Sequence, residues 1–274
     1  MFVSKNIVYL ELHKTGCTHI RSVLKELIDG KLISKHNQAS SSLFGKGRKF
    51  LGSVRDPWEW YTSLWAYGCD HRGSVYGHLT KKVVKMRWPV WKQDPYSALL
   101  EFLTRLARDN GKWQDTYKDV NDAEAFRTWL FRIHDQKYLH HIGEGFGSHS
   151  LSQFSGLLTY RYLKLFCTKA EEATKLYGLS TFDQLLDYDN KCCFIDRIIR
   201  NENLEIDLVN ALEDFGVELS SQTKAELLTR PKTNASSRKH GPGYYYDNES
   251  EQLVAQREKL IVGKFGYIAP SMRG

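Results

Sequence analysis

Between Ile7 and Thr18 the chain reads IVYLELHKTGCT, an apolar run that stops abruptly at Lys14, Thr15 and Gly16. A helix follows at once. Ile20, Val23, Leu24, Leu27 and Ile28 fall at i, i+3, i+4, i+7 and i+8, which makes one apolar stripe. A strand, a basic turn and a helix in immediate succession point to an α/β arrangement and are a common way to hold an oxyanion. Thr18 is placed to cap the first turn. First-turn N–H groups lack intrahelical partners, the helix dipole adds partial positive charge there, and Lys14 supplies a full charge beside them. The expected ligand is phosphate-like or sulfate-like. The Walker A pattern G-x-x-x-x-G-K-[ST] does not fit, because Lys14 precedes the Gly of this loop. That weighs against a nucleoside-triphosphate kinase.

A second basic position follows about forty residues on. Lys49 to Val54 (KFLGSV) reads as a short buried strand and leads into Arg55, Asp56 and Pro57. Asp56 suits an N-cap, Pro57 the first helical position, and Glu59 completes a capping-box-like pair with Asp56. Arg55 then leaves the strand end and Ser63 sits two turns into the helix, a planar fork and a hydroxyl donor for a second phosphate.

A K-x-G-x-T loop after the first strand, then an Arg with a Ser eight positions later, resembles the sulfotransferase family that uses 3′-phosphoadenosine 5′-phosphosulfate. The resemblance implies that Lys14, Thr15, Gly16, Cys17 and Thr18 hold the 5′-phosphosulfate, and that Arg55 and Ser63 hold the 3′-phosphate. The stretch from Asn234 through Arg238, Lys239 and Gly241 to Tyr244, with a final helix ending at Phe265-Gly-Tyr267, is similar to the tail of the carbohydrate and bacterial, heparan-sulfate-sulfotransferase-like branch. There a basic, Gly-containing loop closes over the cofactor, and Arg238, Lys239 and Gly241 are the matching positions. The product left in the site would be adenosine 3′,5′-bisphosphate.

The rest of the chain fits one α/β domain. With 274 residues, 41% of them hydrophobic, it can bury a large core. No apolar stretch reaches the roughly 18 residues of a membrane span. The N-terminus enters a strand almost at once, leaving no room for a signal peptide, so the expected location is cytoplasmic. Five cysteines without a C-x-x-C pair suit free thiols in a reducing compartment. Cys17 lies where a helix N-terminus can lower its pKa, although loop packing is its simpler role.

Helical patterns occupy Ser97 to Arg108 and Ala123 to His134. Arg161 to Cys167 reads as a strand before a helical stretch near Glu171. Phe194 to Arg200 is a further strand candidate, followed by a helix from Leu204 to Phe215 that Gly216 stops. Asn248 and Glu251 can cap the last helix. Strands alternating with helices predict a three-layer α/β fold: a central parallel sheet flanked by helices, with ligands beyond the C-terminal strand ends. The resemblance makes this a P-loop-NTPase-like sulfotransferase fold, with residues 69–155 as a helical acceptor-binding insert.

Sulfuryl transfer to a hydroxyl or amine needs a base for the acceptor proton, and the family places a His or Glu between the two cofactor motifs. Between Lys14 and Arg55 the candidates are His19, Glu26, Asp29 and His36. His36 follows a short apolar stretch, Leu32 and Ile33, that reads as a second strand, so it sits at a strand's C-terminal end. The rival is a His of the middle segment, which holds His134, His140, His141 and His149. The mechanism requires no metal, and the sequence shows no metal-ligand spacing.

The net charge of +7 is partly accounted for by a multiply charged cofactor. Lys81, Lys82, Lys85, Arg87 and Lys92 interleave with Trp88 and Trp91, which suits an acidic glycan, an aromatic acceptor or nucleic acid, or a solvated basic face with two half-buried indoles. The family branch points to carbohydrate. Two alternatives stay open. A small-molecule kinase would share the fold, and a basic nucleic-acid-binding protein would share the charge but leave the Arg55–Ser63 spacing unexplained.

Overall fold

The computed structural model describes residues 1–81, 110–230 and 238–273, together with Leu99 and Leu103. The expected basic-aromatic run from Lys82 to Lys92, most of the helix predicted over Ser97 to Arg108, and Asn234 lie outside the described residues. The strands are β1 (Phe2–Ser4), β2 (Ile7–Tyr9), β3 (Gly30–Leu32), β4 (Lys49–Val54) and β5 (Arg197–Arg200). The helices are α1 (Cys17–Leu27), α2 (Pro57–Cys69), α3 (Ser74–Thr80), α4 (Gly111–Asp115), α5 (Ala123–His134) and α6 (Leu157–Phe166). They continue with α7 (Phe182–Cys192), α8 (Leu204–Asp214), α9 (Ser221–Thr229), α10 (Pro242–Tyr245), α11 (Asn248–Arg257) and α12 (Lys259–Phe265). The chain divides into two compact units. One holds residues 1–56, 158–176 and 181–235, the other residues 57–157, 177–180 and 236–274.

The first unit is an α/β layer structure whose five strands run in the order β3-β1-β2-β4-β5. β2, β4 and β5 are parallel neighbours, while β1 pairs antiparallel with both β2 and β3. The sheet is therefore mixed, not parallel as the strand–helix alternation suggested. The cause is local. Ser4 Oγ accepts the N–H groups of Asn6 at 3.2 Å and Ile7 at 2.8 Å, closing a tight turn. Two strands joined by so short a turn can pair only antiparallel.

Both faces of the sheet are covered. Phe2, Ile7, Tyr9, Leu51 and Ile199 pack against Ile20, Val23 and Leu24 of α1 and Leu204, Leu208 and Leu212 of α8. On the opposite face Gly52 lets the Phe166 ring approach so closely that an added Cβ would lie 2.9 Å from it. There Phe44 stacks on Phe50 at 4.6 Å between centroids, and Phe194 meets both rings edge-on at 5.0 and 5.4 Å.

Several boundaries differ from the sequence reading. Arg161 to Cys167 belongs to the end of α6 and is not a strand. Its residues are almost all buried, and a short apolar run enclosed on all sides shows no period that separates helix from strand. The stretch near Glu171 is a 3₁₀ helix, Ala170–Gly178. The N-cap of α1 is Gly16 rather than Thr18. The last helix starts at the capping box of Asp247 and Ser250 rather than at Asn248 and Glu251, and it breaks at Glu258 into α11 and α12.

The second unit is helical among its described residues and rich in buried indoles: Trp58, Trp60 and Trp65 on α2, and Trp129 on α5. Indole N–H groups here find carbonyl partners: Trp58 donates to Glu251 O at 3.2 Å and Trp65 to Thr116 O at 2.8 Å. At its centre Tyr61 Oη hydrogen-bonds Glu258 and accepts the Leu157 N–H at 3.2 Å. His134 Nε2 lies 3.0 Å from the same phenol, and its Nδ1–H donates to Leu130 O at 2.8 Å. Among the described residues no helix is long and apolar enough to cross a membrane.

Burial, opposed by the Leu130 hydrogen bond and aided by Arg257, lowers the His134 pKa from 6.5 to about 4. Below pH 6.5 the unfolded chain therefore binds a proton that the native chain refuses. The contribution of His134 is fully present above 6.5, falls as the pH drops through that window, and levels off near pH 4. Its total is roughly 3 kcal/mol. Urea melts of the parent and of His134→Gln across this range should converge toward acid pH. Parallel curves would refute the assignment.

Candidate anion-binding site

The loop after β2 is pinned from below by a chain of buried hydroxyls. Thr15 Oγ1 donates to Leu12 O at 2.7 Å, which uses its only proton. Its 2.7 Å contact with Ser53 Oγ must then be a bond donated by Ser53. Ser53 in turn must accept from Tyr9 Oη, 2.8 Å away. Burial pushes the Tyr9 phenol well up, so it keeps the proton it donates. The order Tyr9, Ser53, Thr15, Leu12 is thus set by the carbonyl at its end. The Thr15 hydroxyl serves the fold, and what Thr15 can present outward is backbone.

Above this chain Lys14 takes φ +63° and Gly16 φ +82°. Gly16 caps α1 without a side chain, and no acidic residue lies in the helix's first turn. A Cβ at Gly16 would stand 2.3 Å from Leu204 Cδ1 and 2.9 Å from Asn201 Nδ2. Gly16 is therefore demanded by both its backbone angle and its neighbours. The outcome is a helix N-terminus of undiminished positive polarity with a half-buried Lys14 beside it.

Two further groups join this loop. Arg55, at the end of β4, points Nη1 at the Lys14 carbonyl, 3.4 Å away, and the next amide, Asp56 N–H, donates to Glu202 Oε1 at 2.7 Å. Arg55 therefore lies against the loop that follows β2. His36, at φ +60°, places Nδ1 2.7 Å from Glu11 O. A carbonyl only accepts, so Nδ1 carries a hydrogen, and in the neutral ring Nε2 carries the lone pair. The His36 ring is stacked on His13, with centroids 3.4 Å apart and planes inclined by 16°. Glu11, whose backbone holds His36, has a buried carboxylate bonded to the Met1 amino group at 2.5 Å, with Arg21 at 3.8 Å.

The other candidates fall elsewhere. Cys17 packs against the core of the first unit, and burial raises its thiol pKa rather than lowering it, followed by the influence of Glu11. That is the opposite of the shift a reactive thiolate needs. Thr18 is exposed and His19 buried in the first turn of α1. Glu26 holds Arg230 in a two-bond pair at 2.9 Å and 2.9 Å, and Asp29 is exposed.

The second unit contains Ser63, buried on α2, and the C-terminal loop residues. Arg238 Nη2 bonds Glu59 at 2.5 Å, while its Nη1 is buried with no hydrogen-bond partner among the described residues. Lys239 N–H reaches Asn121 at 3.2 Å, and Gly241 caps α10. His134 has both nitrogens engaged in the core described above. His149 lies stacked on Tyr177, 4.1 Å between centroids, and the Trp113 indole reaches His141 Nδ1 at 3.4 Å.

His13 and the Glu11 backbone are the parts of this site that sequence reading missed. His13 stands next to Lys14 in the loop, but only the fold brings it onto a ring 23 positions away in the chain. No known family, no curated protein and no solved structure matches this chain.

Proposed function

We propose that this protein is a sulfotransferase of P-loop-like sulfotransferase fold that moves a sulfuryl group from 3′-phosphoadenosine 5′-phosphosulfate to a hydroxyl or amine, in the cytoplasm. The observation that carries the reading is the convergence of Lys14, Arg55, a side-chain-free helix N-terminus and a His36 of defined tautomer around one loop. The nucleotide, when bound, supplies the sulfuryl group and a stable phosphate leaving group. The residues of the loop suit such a ligand: Lys14 and Arg55 lie near a helix start that no side chain caps.

In this reading the α1 amides and Lys14 bind the anionic oxygens and stabilise charge that builds on the departing phosphate. Arg55 grips a second phosphate, with Ser63, Arg238, Lys239 and Gly241 as the further contacts that the resemblance implies. His36 Nε2 takes the acceptor proton, with Nδ1–H held on Glu11 O so that the lone pair faces outward from that bond. The acceptor is proposed to be a carbohydrate.

A thermal-shift comparison tests the reading: adenosine 3′,5′-bisphosphate should raise Tm, whereas ATP–Mg²⁺ and an oligonucleotide should not. A response to ATP with none to the bisphosphate would overturn it in favour of a kinase. Arg55→Ala should weaken bisphosphate binding by about 10–100-fold, the equivalent of 1.5–3 kcal/mol for a charged hydrogen bond. Calorimetric titration giving the parent affinity would remove Arg55 from the phosphate site.

A further inference from the structure

The C-terminal ends of α6 and α7 meet at a single backbone bond, Phe194 N–H to Phe166 O at 3.1 Å. The residues that flank this bond are Cys167 and Cys193. Asp189 lies one helical turn before Cys193, so i and i+4 share a face. The two sulfurs and a carboxylate oxygen all lie within 4.8 Å of one another. Cys167 and Asp189 are buried, and Cys193 is half-buried. Neither the anion site nor the proposed chemistry uses these groups.

We infer that Cys167, Cys193 and Asp189 form a binding site for one zinc ion that clips α6 to α7. The dimensions fit. A tetrahedral ion with Zn–S of about 2.3 Å and Zn–O of about 2.1 Å sets its sulfur and oxygen ligands about 3.6 Å apart. Cys167 Sγ lies 3.5 Å from Asp189 Oδ1. Two sulfurs and one oxygen are a borderline-soft set that selects zinc over magnesium or calcium. Tyr162 Oη donates to Asp189 Oδ1 at 3.0 Å, the kind of outer contact that fixes a ligating carboxylate. The half-buried side of Cys193 leaves the fourth corner to water.

Binding converts two thiols to thiolates and releases two protons to solvent, so zinc, two thiolates and one carboxylate leave the cluster with a net charge of −1. The sequence hid this site because residues 167, 189 and 193 follow no C-x-x-C spacing.

The test uses the full chain, stripped with chelator and titrated with Co²⁺ as a spectroscopic stand-in, then with Zn²⁺. One equivalent should produce a sulfur-to-cobalt charge-transfer band that Zn²⁺ abolishes, with Tm raised by either ion. Cys167→Ser and Cys193→Ser should lose the band, Cys192→Ser should keep it, and Tyr162→Phe should weaken binding about 10–100-fold. Should Cys167→Ser fail to fold, the parent titration alone decides. Absence of the band, its survival in Cys193→Ser, or recovery of Cys167 and Cys193 as a disulfide that takes up no metal would each overturn the assignment.

Discussion

For the reaction proposed above, His36→Ala should lower sulfuryl transfer about 10²–10⁴-fold while leaving affinity for adenosine 3′,5′-bisphosphate unchanged. The split follows from where the ring sits. Its contacts include Glu11 O on Nδ1 and the His13 ring on one face, whereas Arg55 reaches the Lys14 carbonyl. A base missing from the acceptor side slows proton removal without removing a phosphate contact. Single-turnover rates with radiolabelled donor, beside calorimetric affinities for the bisphosphate, separate the two quantities. A variant that binds tenfold more weakly yet turns over normally would reassign His36 to binding. His13→Ala should produce a smaller loss, since its ring orients His36 and donates nothing to the acceptor.

Gly16→Ala should cost about 2–6 kcal/mol of stability. Holding an L-residue at φ +82° contributes about 1–3 kcal/mol of that. Forcing a methyl to within 2.3 Å of Leu204 adds about 1–3 kcal/mol more. For a chain of this size each kcal/mol lowers Tm by roughly 2–4 °C, so calorimetry should find a drop of about 4–24 °C. Combining Gly16→Ala with Leu204→Ala separates the causes: the second change removes the closer clash and keeps the backbone strain and the approach to Asn201. A Tm for Gly16→Ala equal to the parent's would mean that α1 can shift away from α8, contrary to the packing seen here.

Strong local signals survived the comparison with the structure. β4 spans Lys49–Val54 and α5 spans Ala123–His134 as read, since a buried strand with turn residues after it and a helix with a clear stripe each carry their own period. The turn between β2 and α1 and the position of Arg55 at a strand end were legible for the same reason. The remainder depended on partners distant in the chain. β1 is only three residues long and becomes a strand by pairing with β2 and β3 on its two sides. α6 shows no face because it is enclosed. Arg238 finds Glu59, and His36 finds Glu11 and His13, through folding alone. Left-handed backbone at Lys14 has no signature in residue type, and at His36 only the modest enrichment of His in that region.

The hydroxyl relay beneath the loop has an electrostatic consequence. A row of hydroxyls closed on itself or ending in water can point its dipoles either way and fluctuate between the two. Here the terminal acceptor is the Leu12 carbonyl, so only one orientation is available. The dipoles under Lys14 and the α1 start are thus frozen in one sense. A ligand arriving above them meets a field that needs no reorientation, which is the condition under which fixed dipoles stabilise developing charge most effectively.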